Sequence, residues 1–175
     1  MKILPSEDST RLRKVVKDLE PQLNVKIKIK EKEVSIDGNP EDEYIAEKVI
    51  DAINFGFPLD AALSIKKDDA IFEIINIKEF THSNDMERVR ARVIGTEGKT
   101  LSTLSQLTDC NFEIKGNEVG VIGMPESIKN GHNAIIMIVQ GSKQANVYAF
   151  LEKHQLQPIT DLGLKEKKKP KKAKE

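Results

Sequence analysis

Glu33-Val34-Ser35-Ile36-Asp37-Gly38-Asn39-Pro40-Glu41 is echoed 85 residues later by Glu118-Val119-Gly120-Val121-Ile122-Gly123-Met124-Pro125-Glu126. The same offset holds without gaps on both sides. Downstream it pairs Ile50 with Ile135, Ile53 with Ile138 and Gly56 with Gly141. Upstream it pairs Ile29 with Ile114, Ile27 with Phe112, Leu19 with Leu104 and Val16 with Leu101. Apolar phase shared over roughly forty residues of each copy marks an internal repeat.

Each copy spells the same order of elements. A helix (about 8–20, and about 98–107) leads into a strand. In the first copy Val25, Ile27 and Ile29 alternate with Lys26, Lys28 and Lys30, the period of a half-buried strand. Glu31 to Glu33, and Gly116-Asn117 in the second copy, predict tight turns into a second strand. A Gly-x-Pro-Glu segment then opens a helix: proline belongs in the first turn, and acids there meet the helix dipole. Ile45, Val49, Ile50 and Ile53, and Ile128, Ala134, Ile135 and Ile138, form the apolar stripes of these helices. Gly56 and Gly141 are placed to end them. The second copy has more in front of it. Ile71 to Ile77 predicts a strand and Asn84 to Ile94 a helix with Met86, Val89 and Val93 on one face. Residues 70–141 therefore read β-α-α-β-β-α. The first copy has only Lys2 to Leu4 as a leading strand and lacks the first short helix. Residues 57–66 and 143–154 predict an extra helix closing each copy.

Between the second copy's two short helices lies Val93-Ile94-Gly95-Thr96-Glu97-Gly98-Lys99-Thr100-Leu101. A bare Gly-x-x-Gly is a weak motif; its position between the helices, after a strand and before a hairpin, is what carries weight. Positions without side chains let a sugar-phosphate backbone approach the main chain. N–H groups at the start of the next helix can then receive phosphate. Arg88, Arg90, Arg92 and Lys99 crowd around the loop, with Arg88 and Arg92 on one helix face. Ile94, Leu101 and Ile114 are candidates for the apolar floor of a groove. At the 85-residue offset Gly95 and Gly98 correspond to Thr10 and Arg13, so the first copy is a degenerate repeat without this loop.

The 175 residues carry 28 basic and 28 acidic side chains, and this zero balance is unevenly spread. Seven lysines against Glu166 and Glu175 give residues 165–175 a charge of +5, which leaves −5 on the rest. A Lys/Glu/Pro/Ala tail has little to bury and is expected to be disordered and to touch polyanions. No apolar run reaches the roughly 18 residues that would span a bilayer. The single cysteine, Cys110, excludes an internal disulfide and fits a reducing cytoplasm. His82, His132 and His154 are scattered, with no metal-ligand spacing. The loop lacks the Gly-Lys-Ser/Thr ending of a nucleotide-binding loop. Neither an enzyme nor a cofactor is expected.

The loop Ile94-Gly95-Thr96-Glu97-Gly98-Lys99 sits where a KH domain places its Gly-x-x-Gly loop, which clamps about four nucleotides against an apolar groove. The fold class expected is α+β: two tandem KH-like repeats (type I, β-α-α-β-β-α), the first degenerate. The divisions expected are 1–67 without the loop, 68–156 with it, and a basic tail at 157–175. Several further stretches carry a family resemblance: the hairpin through Gly116-Asn117, Val121-Ile122-Gly123-Met124-Pro125-Glu126, and Gly141 to Glu152 with Val147-Tyr148-Ala149-Phe150-Leu151-Glu152. Asn54-Phe55-Gly56-Phe57-Pro58 with Ala61-Ala62-Leu63 adds the linker after the first repeat. Residues 1–154 so resemble the archaeal and eukaryotic two-KH-domain assembly factor of the small ribosomal subunit, the KH-domain partner of the Nob endonuclease. That resemblance implies single-stranded RNA, the 3′ region of small-subunit rRNA, as ligand. It also implies contact with the processing endonuclease, the dimethylating methyltransferase or a translation initiation factor subunit. Thr96 stands where that family carries a basic residue, so phosphate attraction is expected to be weaker here. A protein-interaction adaptor with both folds purely structural is the alternative, favoured by the acidic body and by Glu97.

Overall fold

The computed structural model describes residues 2–5, 9–30 and 33–154. The basic tail expected at 157–175, and most of the first hairpin's turn, lie outside these residues. The first repeat runs β1 (Lys2–Pro5), α1 (Ser9–Leu23), β2 (Lys26–Lys30), β3 (Glu33–Asp37), α2 (Pro40–Phe55) and α3 (Leu59–Lys67). The second runs β4 (Ile71–Asn76), α4 (Met86–Ile94), α5 (Lys99–Thr108), β5 (Asn111–Lys115), β6 (Glu118–Gly123), α6 (Pro125–Val139) and α7 (Gln144–His154). Each repeat has one antiparallel three-stranded sheet, in the orders β1-β3-β2 and β4-β6-β5. Among the described residues no separate short helix precedes α1.

The differences from expectation lie at element ends, where local hydrogen bonds decide. Helix α1 continues past Glu20, through Pro21 to Leu23. Leu12, Leu19 and Leu23 are fully buried on one face, which offsets the N–H bond that Pro21 forfeits and its crowding of the preceding turn. The strand from Ile71 stops at Asn76, whose side-chain oxygen accepts from the Lys78 N–H and starts a 3₁₀ turn over Ile77–Phe80. Helix α4 begins at Met86 because the Asp85 carboxylate accepts from the Arg88 N–H at 3.0 Å, an N-cap.

Two cores result, and one strand feeds both. Val119 and Val121 of β6 face the second core, with Ile135, Ile138 and Leu104. Ile122 joins the first, with Ile50, Phe57 and Leu63. Successive strand residues point to opposite faces, so α4, α5 and α6 cover one side of the second sheet and the first repeat covers the other. At Gly120 a Cβ would lie 2.7 Å from ring carbons of both Phe55 and Phe57. These rings and Phe72 meet with centroids 5.7 to 5.9 Å apart. The segment read as a linker from Asn54 to Leu63 is thus wedged between the repeats, with Phe57, Ala62 and Leu63 at most 3% exposed.

Candidate nucleic-acid interface

The turn between α4 and α5 needs glycine at both ends, for different reasons. Gly95 closes α4 by donating to the Ala91 carbonyl at 2.8 Å and then takes φ 77°, ψ 173°. That backbone region is essentially open to glycine alone. A side chain there would also collide with Thr100. Gly98 adopts φ 74°, ψ 9°, and a Cβ on it would have nothing within 4 Å. Between them Thr96 and Glu97 are exposed, with Glu97 itself left-handed at φ 54°. No side chain caps the start of α5; the Lys99 N–H donates to the Thr96 carbonyl, and the other first-turn N–H groups have no i−4 helical partner.

Thr100, only 2% exposed, anchors this turn from below. Its hydroxyl accepts from Gln144 Nε2 of α7 at 2.7 Å. Neither Thr100 nor Gln144 was expected as a site residue. The threonine's place directly after the loop is a faint sequence signal; the glutamine, 44 residues on, has none.

The basic side chains do not form one cluster. Arg90 donates to Asn117 Oδ1 at 3.1 Å, tying α4 to the β5–β6 turn. Arg92 donates to the Ser142 carbonyl at 2.8 Å, just past α6. Arg88 is exposed and has no side-chain partner among the described residues. Arg88 and Arg92 share the wall of one cleft. Lys99 lies 3.8 Å from the Glu97 carboxylate, both mostly exposed, so the pair is worth well under about 1 kcal/mol. Of the candidate floor residues, Ile94 is 37% exposed at the end of α4, whereas Leu101 and Ile114 are half-buried against the second core.

Cys110 is 3% exposed, and burial pushes its thiol up to about 11. A group held neutral this way adds stability that is present below its ordinary pKa and lost as pH rises toward 11. Its expected behaviour is inertness: iodoacetamide at pH 8 should leave it untouched in native protein and label it in denaturant. Rapid native labelling would contradict the burial. Among the described residues no three His, Cys, Asp or Glu side chains gather as metal ligands, and no helix is long and apolar enough to cross a membrane.

The order β4-α4-α5-β5-β6-α6, with a glycine-bounded turn between the first two helices, defines a KH domain of type I. Residues 71–156 match the family model described as a eukaryotic type KH-domain, KH-domain type I. A KH domain-containing protein of Methanocaldococcus jannaschii is 32% identical over 79% of this chain and 64% of its own. The pre-rRNA-processing protein PNO1 of Chaetomium thermophilum is 24% identical over 73% of this chain and 52% of its own. The crystal structure of Dim2p from Pyrococcus horikoshii matches at TM-score 0.77 and 25% identity, covering 87% of this chain and 98% of that one. A chain in the a/eIF2alpha-aDim2p-rRNA complex of the same organism matches at TM-score 0.77 and 26% identity, covering 88% and 93%. Residues 71–156 are a type I KH domain, and the chain as a whole is similar to archaeal Dim2p and to eukaryotic pre-rRNA-processing PNO1. It spans between about half and two thirds of the length of these two curated relatives.

Proposed function

We propose that the protein binds single-stranded RNA, the 3′ region of small-subunit rRNA, as a non-catalytic cytoplasmic scaffold in ribosomal subunit assembly. The observation that carries this reading is Gly98: its missing side chain opens onto free space, at the uncapped start of α5. The left-handed backbone already favours glycine there, and with no side chain in that space a phosphate backbone can come close. In this reading Gly95, Thr96, Glu97, Gly98 and Lys99 meet phosphate. Ile94, Leu101 and Ile114 meet bases, and Arg88, Arg90 and Arg92 supply the surrounding charge. Residues 1–67 act as a unit without a loop, 68–156 as the RNA-binding unit and 157–175 as a basic arm. Relatives that process pre-rRNA or sit in an rRNA complex support the ligand class. Contact with a processing endonuclease, a dimethyltransferase or an initiation factor subunit is the matching expectation for protein partners.

The test leaves both glycines in place. Thr96→Asp with Glu97→Asp adds negative charge at the loop, and aspartate tolerates the left-handed backbone at 97. Affinity for a single strand should fall about tenfold, or roughly 1.4 kcal/mol, with a native circular dichroism spectrum. Thr96→Lys should tighten binding. Unchanged affinity in both variants would favour the adaptor reading, which the exposed Glu97 carboxylate supports.

A further inference from the structure

We propose that the cleft between the 81–85 segment, α4 and the end of α6 is a second phosphate-binding site, outside the glycine-bounded loop. As a contact for the same RNA it rests on the reading above; as a phosphate site it does not.

The cleft measures about 520 Å³. Arg88 and Arg92 line it with Thr81 and Ser83, over an apolar floor of Val89 and Val139. Among the described residues no carboxylate is in its wall, in a protein whose first 164 residues carry −5. The polar groups are arranged to donate. Thr81 Oγ1 accepts from the Ser83 N–H at 3.1 Å, and Ser83 Oγ from the Asp85 N–H at 3.2 Å. Each hydroxyl oxygen thereby accepts one bond while its hydrogen stays available to donate. The nearby Asp85 carboxylate is turned into the start of α4, accepting from the Arg88 N–H. Just before the cleft the Ile136, Met137 and Ile138 carbonyls accept from the N–H groups of Gln140, Ser142 and Gly141, and the Ser142 carbonyl accepts from Arg92. That last bond uses one of five guanidinium hydrogens and orients the rest. A donor wall with one fixed and one free guanidinium matches the several acceptor oxygens of a phosphate group.

Two measurements on the full chain distinguish a strand phosphate from free phosphate. The first compares four- and twelve-nucleotide RNAs of the same core sequence, with wild type, Arg88→Ala and Arg88→Lys, across a salt series. Arg88→Ala should weaken the longer strand roughly three- to tenfold and lower its salt slope by about 0.7. The short strand should lose markedly less than the long one, and Arg88→Lys should recover part of the loss. The second follows backbone amide NMR shifts during titration with inorganic phosphate. Residues 81–92 should shift in wild type and not in Arg88→Ala. If wild type binds neither RNA but the amides shift, the RNA reading fails and the phosphate site stands. Equal loss on both RNAs would place Arg88 in the main groove and overturn the proposal. So would amides that never move, together with RNA affinity indifferent to Arg88.

Discussion

Replacing Gly95 by alanine should cost roughly 2–5 kcal/mol, the sum of a forced positive-φ backbone and an overpacked contact. The added methyl would overlap the Thr100 hydroxyl and lie 2.8 Å from both Thr100 Cβ and the Thr100 backbone nitrogen. Turning the threonine side chain cannot relieve a clash with the main chain, and Gln144 already holds that hydroxyl. The junction between α4 and α5 must therefore open, taking RNA affinity with it. Gly98→Ala is the control. Its new methyl meets nothing within 4 Å, so only the backbone term of roughly 1–2 kcal/mol applies. That variant should fold, yet bind RNA more weakly, because the methyl stands where a phosphate would approach. Chemical denaturation and single-strand binding on both variants check the contrast. Equal stability losses would show that Thr100 does not constrain the turn, and undiminished RNA affinity in folded Gly98→Ala would remove the main support for the loop as a phosphate site.

Phe57→Ala should be the most destabilising change between the repeats. The ring is 3% exposed and packs on Phe55, Phe72 and the bare strand at Gly120. Truncating such a ring costs about 3–5 kcal/mol, which for a chain of this size lowers Tm by roughly 6–20 °C. The whole chain should melt in one transition, since β6 contributes to both cores. Coupling is measurable directly. Gly120→Val pushes a side chain into the space of Phe55 and Phe57, so its cost should shrink in a Phe57→Ala background. Strict additivity, or two calorimetric transitions of which Phe57→Ala moves only one, would show that the repeats fold independently.

The order of elements was legible because it rests on local physics. Lysine–isoleucine alternation made β2, proline and acids opened α2 and α6, and the 85-residue echo revealed the duplicated plan. The loop at Gly95 and Gly98 was legible too, since left-handed backbone leaves its mark on residue type. Its absence from the first repeat followed from Thr10 and Arg13. Other features depended on partners distant in the chain. The sequence read Asn54 to Leu63 as a linker, yet three phenylalanines from α2, the α2–α3 turn and β4 converge on Gly120. Four basic residues looked like one cluster by spacing. Tertiary structure committed Arg90 to the hairpin and Arg92 to the end of α6, and left Arg88 free. Local preference is set by a residue and its near neighbours, so the sequence alone determined the repeat, the strands and the glycine turn. Which face of β6 is covered, and which arginine keeps its hydrogens for a ligand, depends on groups brought together only when the chain closes, and those the tertiary structure decided.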